Sequence, residues 1–316
     1  MPKKDKNKYK NTVTIEGLLY DHKLEERVTG AQSKVPNTPY IRGSIDIATD
    51  DKLTNIVTIN FTYITLADKK YPILKGIIDK IYPTIMNDGA EAATAISCST
   101  SIEINEWFTD KTLDENGQPT LNSVRRLNGG FINIIPRAEL RDEIQRDKFL
   151  VDVLLTSAVL READEEKGYP EKLTLKGWMF NFKEEAFPIS FSVLNPDAIS
   201  YFMSQEPSSK EPLYTQVGGY IVSMTTKTKK EIEGAFSTET VEYTRTNKDW
   251  EVNYALKEPY EFDTEGVLGF EDIRTKMKQR EEYLAELKHQ YEENKKKKAQ
   301  ASPAANINAG GLEFNF

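Results

Sequence analysis

The sequence predicts a mainly β protein with some helix: two small β-barrels, then a long helix and a flexible tail. Three observations carry the prediction. Segments rich in β-branched and aromatic residues recur from residue 12 to 256, separated by Gly, Pro, Asn and Asp signals. After residue 270 the apolar spacing becomes helical and stays so. A chain of 316 residues exceeds the usual size of one hydrophobic core, so two β units are expected.

Residues 1–11 read as a flexible basic arm. A first β domain is expected over 12–115, with TVTIEGLLYD, YIRGSIDIAT and TNIVTINFTYITL as strands. Gly17 and Gly43 interrupt two of them where a strongly coiled strand needs a residue without a Cβ. Ile73, Ile77, Ile78, Ile81 and Ile85 fall at helical spacing, and Pro72 and Pro83 limit that segment to a short helix. SIEINEWF (101–108) is a strand, and the Asn-Gly pair of DENGQPT marks a hairpin tip.

A second β domain is expected over 123–262, which puts the boundary near 110–123. Its strands are SVRRLNGGFINII, FLVDVLLTSAVL, the stretch from Leu173 to Leu194, YTQVGGYIVSMTTKT and VEYTRTNKDWEVNYAL, with a short helix in NPDAISYFMSQE. In the 173–194 stretch Trp178, Phe180 and Phe182 share one side at period two. The return strand presents Phe187, Ile189, Phe191 and Val193. Five rings on a sheet are either core or a platform for something flat, and nucleobases are the commonest flat ligand of a sheet. Strand, Gly, strand recurs in three places without aligning as a repeat.

Phe270, Ile273, Met277, Leu284, Leu287 and Tyr291 make one apolar stripe, which predicts a charged amphipathic helix over 268–298. The KKKK run at its end suits a helix C-terminus. Residues 299–316 form a linker and an aromatic tip, Leu312, Phe314 and Phe316, read with the terminal carboxylate as a docking peptide or a plug.

A formal charge of −8 argues against a nucleic-acid partner on average. The cations, however, are clustered, at residues 3–10, Arg125 with Arg126, Lys227 with Lys229 and Lys230, and Lys295–Lys298, so local binding of a phosphate backbone is open. No apolar run is long enough to span a bilayer, and the start lacks the hydrophobic region of a secretory signal, so a cytoplasmic protein without membrane partners is expected. Single Cys98 permits no internal disulfide. Two distant histidines and one cysteine offer no zinc site, and neither a P-loop nor a G-x-S-x-G elbow is present. No cofactor and no enzymatic activity are expected.

Aromatic and basic residues interleave in YIRG, GWMFNFK and EYTRTNKDW, the combination by which single-strand binders stack bases and track a backbone. Candidate stacking residues are Tyr40, Tyr63, Trp107, Phe131, Trp178, Phe180, Tyr243 and Trp250. Candidate phosphate contacts are Arg42, Arg125, Arg126, Lys176, Lys227, Lys229, Arg245 and Lys248. Each ring alone is more often core than contact, and a solvated strand face is a fair reading of each cation.

Barrel strands with interleaved aromatics, a polar tether and a C-terminal phenylalanine resemble single-stranded DNA-binding proteins of the OB-fold type, particularly the larger replication versions encoded by bacteriophages. That resemblance implies OB-like barrels, sequence-tolerant binding of single-stranded DNA in replication or recombination, self-association along the strand and recruitment of replication proteins through the tip. Phe316 matches the terminal ring, but the run of aspartates and the proline before it are missing. The alternative is a structural or assembly protein of a virion or scaffold. A carboxylate-metal nuclease built on Asp46, Asp50 and Asp51 is a third.

Overall fold

A computed structural model describes residues 9–164, 170–233, 238–264 and 267–301, and the side chains among them except those of 224–247 and 298–301. The β-branched segments form β1 (Asn11–His22), β2 (Glu25–Val28), β3 (Pro39–Ala48), β4 (Ile56–Thr65), β5 (Ala95–Leu113) and β6 (Pro119–Ile134). Helices α1 (Tyr71–Ile78) and α2 (Ile85–Asp88) lie between β4 and β5. Then come β7 (Asp147–Arg161), β8 (Lys172–Phe180), β9 (Ala186–Val193), helix α3 (Pro196–Gln205), β10 (Leu213–Glu233), β11 (Thr238–Ala255) and helix α4 (Phe270–Ala301).

The strand pairings close two circuits of the same order. In the first, β1 pairs antiparallel with β3 and β5, β3 with β4, and β5 with β6, while β4 runs parallel to β6 at Ile59↔Leu127 and Asn60↔Asn128. In the second, β7 pairs antiparallel with β8 and β10, β8 with β9, and β10 with β11, while β9 meets β11 in parallel at Ser192↔Glu251. The helix between third and fourth strand also recurs, as α1 and α2 and then as α3. Strand order and helix position thus occur twice, whereas no such pairing repeats the three strand, glycine, strand stretches of the sequence.

The circuits are not separate bodies. The first half of β1 pairs antiparallel with the start of β7, from Asn11↔Val151 to Ile15↔Asp147, so all eleven strands belong to one sheet. β1 is long enough for both tasks, since its second half, Leu18 to His22, pairs with β3. One apolar core runs through the junction, with Val13 and Ile15 of β1 and Phe149 and Val151 of β7 buried together. Asn55, in the turn before β4, stitches the halves further. Its Nδ2 donates to Asp147 Oδ2 at 2.7 Å and to the Ile221 carbonyl at 3.0 Å, and its Oδ1 accepts from the Ser223 amide at 2.6 Å. Burial raises the Asp147 carboxyl to about 6, against the opposing bond from Thr49 and the nearby Lys148 charge.

Several expectations change here. The boundary placed near 110–123 falls inside a hairpin: residues 114–118 are the tip joining β5 to β6, so β6 is the last strand of the first circuit. Gly17 and Gly43 do stand at close approaches. A Cβ on Gly17 would lie 2.0 Å from the Ala48 carbonyl oxygen, and one on Gly43, whose φ is +127°, 2.0 Å from that of Lys23.

The hairpin of β8 and β9 pairs Leu173↔Val193 through Phe180↔Ala186 as expected, but its three rings part company. Leu173, Leu175 and Met179 turn inward, leaving Trp178 half-buried on the outer face. Phe180, at the strand's end, is 1% exposed in a second cluster with Leu154, Tyr214 and Leu268. Phe182 lies past the strand and is 77% exposed.

α4 forms where the stripe predicted a helix, but cations fix its inner face. Ile273 and Met277 pack against the second cluster, whereas Phe270 is exposed. Lys276 and Arg280, one turn apart, are buried. Lys276 Nζ reaches Glu184 at 2.9 Å, and Arg280 clasps Glu106 of β5 with both terminal nitrogens, one at 2.6 Å. Farther along, the Tyr291 ring lies 6.3 Å from that of Phe108, and Lys295 pairs with Asp110 at 3.3 Å. The helix thereby straps the β5–β6 ribbon along one face.

Candidate nucleic-acid interface

The side-chain alternation of β3, β4 and the β5–β6 ribbon builds the first part of the site. Ile41, Phe61 and Ile64 point into the core, which sends Tyr40, Arg42 and Tyr63 outward. The Tyr40 and Tyr63 rings lie 4.9 Å apart, and Tyr63 is 47% exposed with φ at +53°. A non-glycine residue held there costs of order 1–3 kcal/mol, and such strain collects at functional positions. Beside them a groove of 510 Å³ is lined by Lys23, Arg42, Asn60, Asn105, Arg126 and Asn128, with Glu25 and Glu103 as its acids. Trp107 follows Asn105 by two positions on the ribbon's solvent face and is 39% exposed.

Among the described residues three further grooves adjoin this one; that against α4 shares Glu103 and Asn128 with it and sets Glu106 and Glu185 among Lys183, Lys276 and Arg280, while the other two continue a more cationic run. The second of that run, of 200 Å³, shares Asn60 and Arg126 with the first and adds Thr58, Arg125, Ser223 and Lys248. The third, of 460 Å³, shares Arg125 with the second and continues over β8 and β9 along Lys176, Trp178, Pro188 and Ser190. Together the three grooves of the run carry six cations, Lys23, Arg42, Arg125, Arg126, Lys176 and Lys248, and two carboxylates. Consecutive Arg126 and Arg125 occupy opposite faces of β6, so a ligand touching both turns around the strand's edge.

Arg125 holds the turn in place. Its Nη2 donates to the Ser190 carbonyl at 2.7 Å, and its guanidinium stands over the Trp250 ring at 5.1 Å. Burial lowers its pKa to about 10, with Asp249 opposing the shift. At neutral pH it is therefore still charged. It fastens the first circuit's ribbon to β9 and β11 of the second circuit while bordering two of the grooves.

The structure thus groups Tyr40, Arg42, Tyr63, Trp107 and Arg126 on the first circuit, and brings Arg125 of β6 beside Lys176, Trp178 and Lys248 of the second. It separates others. Phe180 is core, and Trp250, 7% exposed, lies in the main core with only an edge on the second groove. Phe131 is 72% exposed on β6 but borders none of the three grooves. The side chains of Lys227, Lys229, Tyr243 and Arg245 lie outside the described residues, as do the basic arm over 1–8 and the tip residues Leu312, Phe314 and Phe316.

Lys23, Asn60, Asn105 and Asn128 were not singled out from sequence. Asparagines at outward strand positions carry no aromatic or charge signal. Lys23 stands at the turn before β2, and its carbonyl's close approach to Gly43 is visible only in the folded chain.

The acids proposed for a metal are each engaged elsewhere. Asp46 accepts from Thr58 at 2.6 Å, Asp50 from the Thr54 and Asn55 amides at 2.8 and 2.7 Å, and Asp51 pairs with Arg146 at 2.6 Å. Among the described residues, no three His, Cys, Asp or Glu side chains are grouped to hold a metal, and no helix is long and apolar enough to cross a membrane.

Residues 10–290 match the model of the YorF family. No curated protein matches the chain. Among solved structures, it is similar to a deletion and point mutant of the single-stranded DNA binding protein from Thermus aquaticus, at 12% identity and a TM-score of 0.45, over 81% of this chain and 98% of that one.

Proposed function

The chain belongs to the YorF family, and we propose that it binds single-stranded DNA with little sequence preference, without catalysis, in DNA replication or recombination. The observation that carries this reading is the run of adjoining grooves. It bears six cations against two carboxylates on a chain whose formal charge is −8. Tyr40, Tyr63, Trp107 and Trp178 stand beside it, so phosphates meet Lys and Arg while bases stack on rings. The turn around the β6 edge favours a single strand, because duplex DNA has a persistence length of ~150 base pairs and resists so tight a bend.

Each circuit reads as an OB-like barrel. Its first strand pairs with the second and fourth, and its third runs parallel to the fifth, with helix between third and fourth. OB-folds bind oligonucleotides across the second and third strands, here β3 with β4 and β8 with β9, which border the first and third grooves. Self-association along the strand, work in the cytoplasm and recruitment of replication proteins through the tip complete the proposal.

Titration with oligo-dT while following tryptophan fluorescence tests it, because Trp107 and Trp178 are accessible and Trp250 lies beneath the middle groove. Quenching that favours the single strand over a duplex and fades with salt is the expected result. No quenching and no mobility shift at low salt would overturn the reading in favour of an assembly protein.

A further inference from the structure

We infer that Glu25 is a built-in competitor for phosphate at Arg42, and so sets how tightly the first groove holds a nucleic-acid backbone. The inference rests on the single-strand reading above. β2 lies along β3 with Glu25 across from Arg42 and Arg27 across from Tyr40. The Glu25 carboxylate therefore faces the guanidinium that a phosphate would seek, with Oε2 3.6 Å from Arg42 Nη2.

Arg27 grips the same carboxylate more closely, through Nε at 2.9 Å and Nη2 at 2.7 Å. The Arg27 hydrogen bond, more than any other influence, holds the carboxyl below its usual range, so it is anionic at neutral pH. This unequal grip sets the direction of exchange. When a phosphate reaches Arg42, Glu25 gives up its weaker partner and keeps its stronger one, and no carboxylate is left stranded.

The side chains of Glu25, Arg27 and Arg42 are 55%, 46% and 47% exposed. Water screens such pairs, so the exchange is easy, but the acid still opposes an incoming phosphate a few ångströms away. Arg126, on the other wall, is unlike Arg42. Glu103 lies across from it in the ladder but accepts from Asn128 at 2.8 Å, and among the described residues no ion pair joins Arg126 to a carboxylate. The groove thus holds one masked arginine and one open one.

The test compares oligo-dT affinity of the full chain with that of Glu25→Gln, Arg42→Ala and the double variant. Glu281→Gln, an exposed acid of α4, controls for net charge. Glu25→Gln is expected to bind roughly two- to fivefold more tightly, the range of an exposed ion pair. The gain should vanish when Arg42 is alanine, and Glu281→Gln should bind like the original chain. Unchanged or weaker binding by Glu25→Gln overturns the inference, as does a gain that survives Arg42→Ala or is matched by Glu281→Gln. In those cases the single-strand reading stands. No binding by either the original chain or Glu25→Gln overturns both.

Discussion

The two circuits share a strand order and a helix position, yet they use their aromatic residues in opposite ways. The first keeps Tyr63 and Trp107 at its surface, while its core is filled mostly by aliphatic Ile15, Ile41, Ile45, Ile47 and Ile59. The second packs Phe149, Phe187, Phe191 and Trp250 inside, with the Phe149 and Phe191 rings 5.4 Å apart, and leaves Trp178 only half-buried. Topology therefore does not decide where rings go. A core already filled by isoleucines leaves aromatic residues free for the surface, and a ring that fills its own core is lost as a platform.

The sharpest way to break this comparison is at Phe180, the ring that sequence placed on the platform and structure places in the core. Phe180→Ala should cost about 3–5 kcal/mol of stability, visible as a large drop in the denaturant midpoint. A variant that keeps its stability and loses only DNA affinity would reverse the assignment. Next comes the strap on the first ribbon. Arg280→Ala strands a buried Glu106 and should cost roughly 3–5 kcal/mol, while Arg280→Met combined with Glu106→Leu should recover most of it. Thermal melts of the single and double variants separate a structural ion pair from a dispensable one.

Asp147 probes the junction between the halves. Its folded pKa, about 6, lies above that of an unfolded aspartate, so the folded state binds the extra proton between roughly pH 4 and 6. Asp147 thus lends most stability at acid pH, and the contribution is lost as pH rises through 6. Asp147→Asn should flatten that slope and raise the melting temperature at pH 7, with up to ~3 kcal/mol available. The smallest effect is expected at Tyr63. Tyr63→Gly relieves the positive φ, so the melting temperature should hold or rise, while oligo-dT affinity falls by about 1–3 kcal/mol. Loss of stability together with affinity would make Tyr63 a packing residue like its counterparts in the second circuit.

The strands and helices were legible because alternation and helical spacing are local. β8 shows the limit. Period two correctly separated Trp178 from Met179, but a period continued past Phe180 into the turn put Phe182 on a strand that had already ended. Leu173, Leu175 and Met179 already occupy the inner face, and only the cluster with Tyr214 and Leu268, 34 and 88 residues onward in sequence, explains why Phe180 is also covered. The ownership of β6 was hidden for a similar reason. Its Asn-Gly tip was readable as a turn, but its parallel meeting with β4 at Asn60↔Asn128 is set by distant chain. Of the candidate site, the structure places exposed rings beside the cations singled out on β3, β4 and the ribbon. The asparagines between them, and the acid facing Arg42, depend on neighbouring strands and left no local mark.

The pairing of β1 with β7 sets an order of events in the birth of the chain. Ribosomes add about 5–20 residues per second, so Asn11–Ile15 must wait on the order of ten seconds for Asp147–Val151 to be made. During that interval one edge of a β-branched strand stands open, the kind of edge that recruits other chains. Closing it late is a slow, long-range step. The nascent first half should be the stage at which this protein most needs a chaperone, and a strongly overproduced truncation before residue 147 should aggregate where the full chain does not.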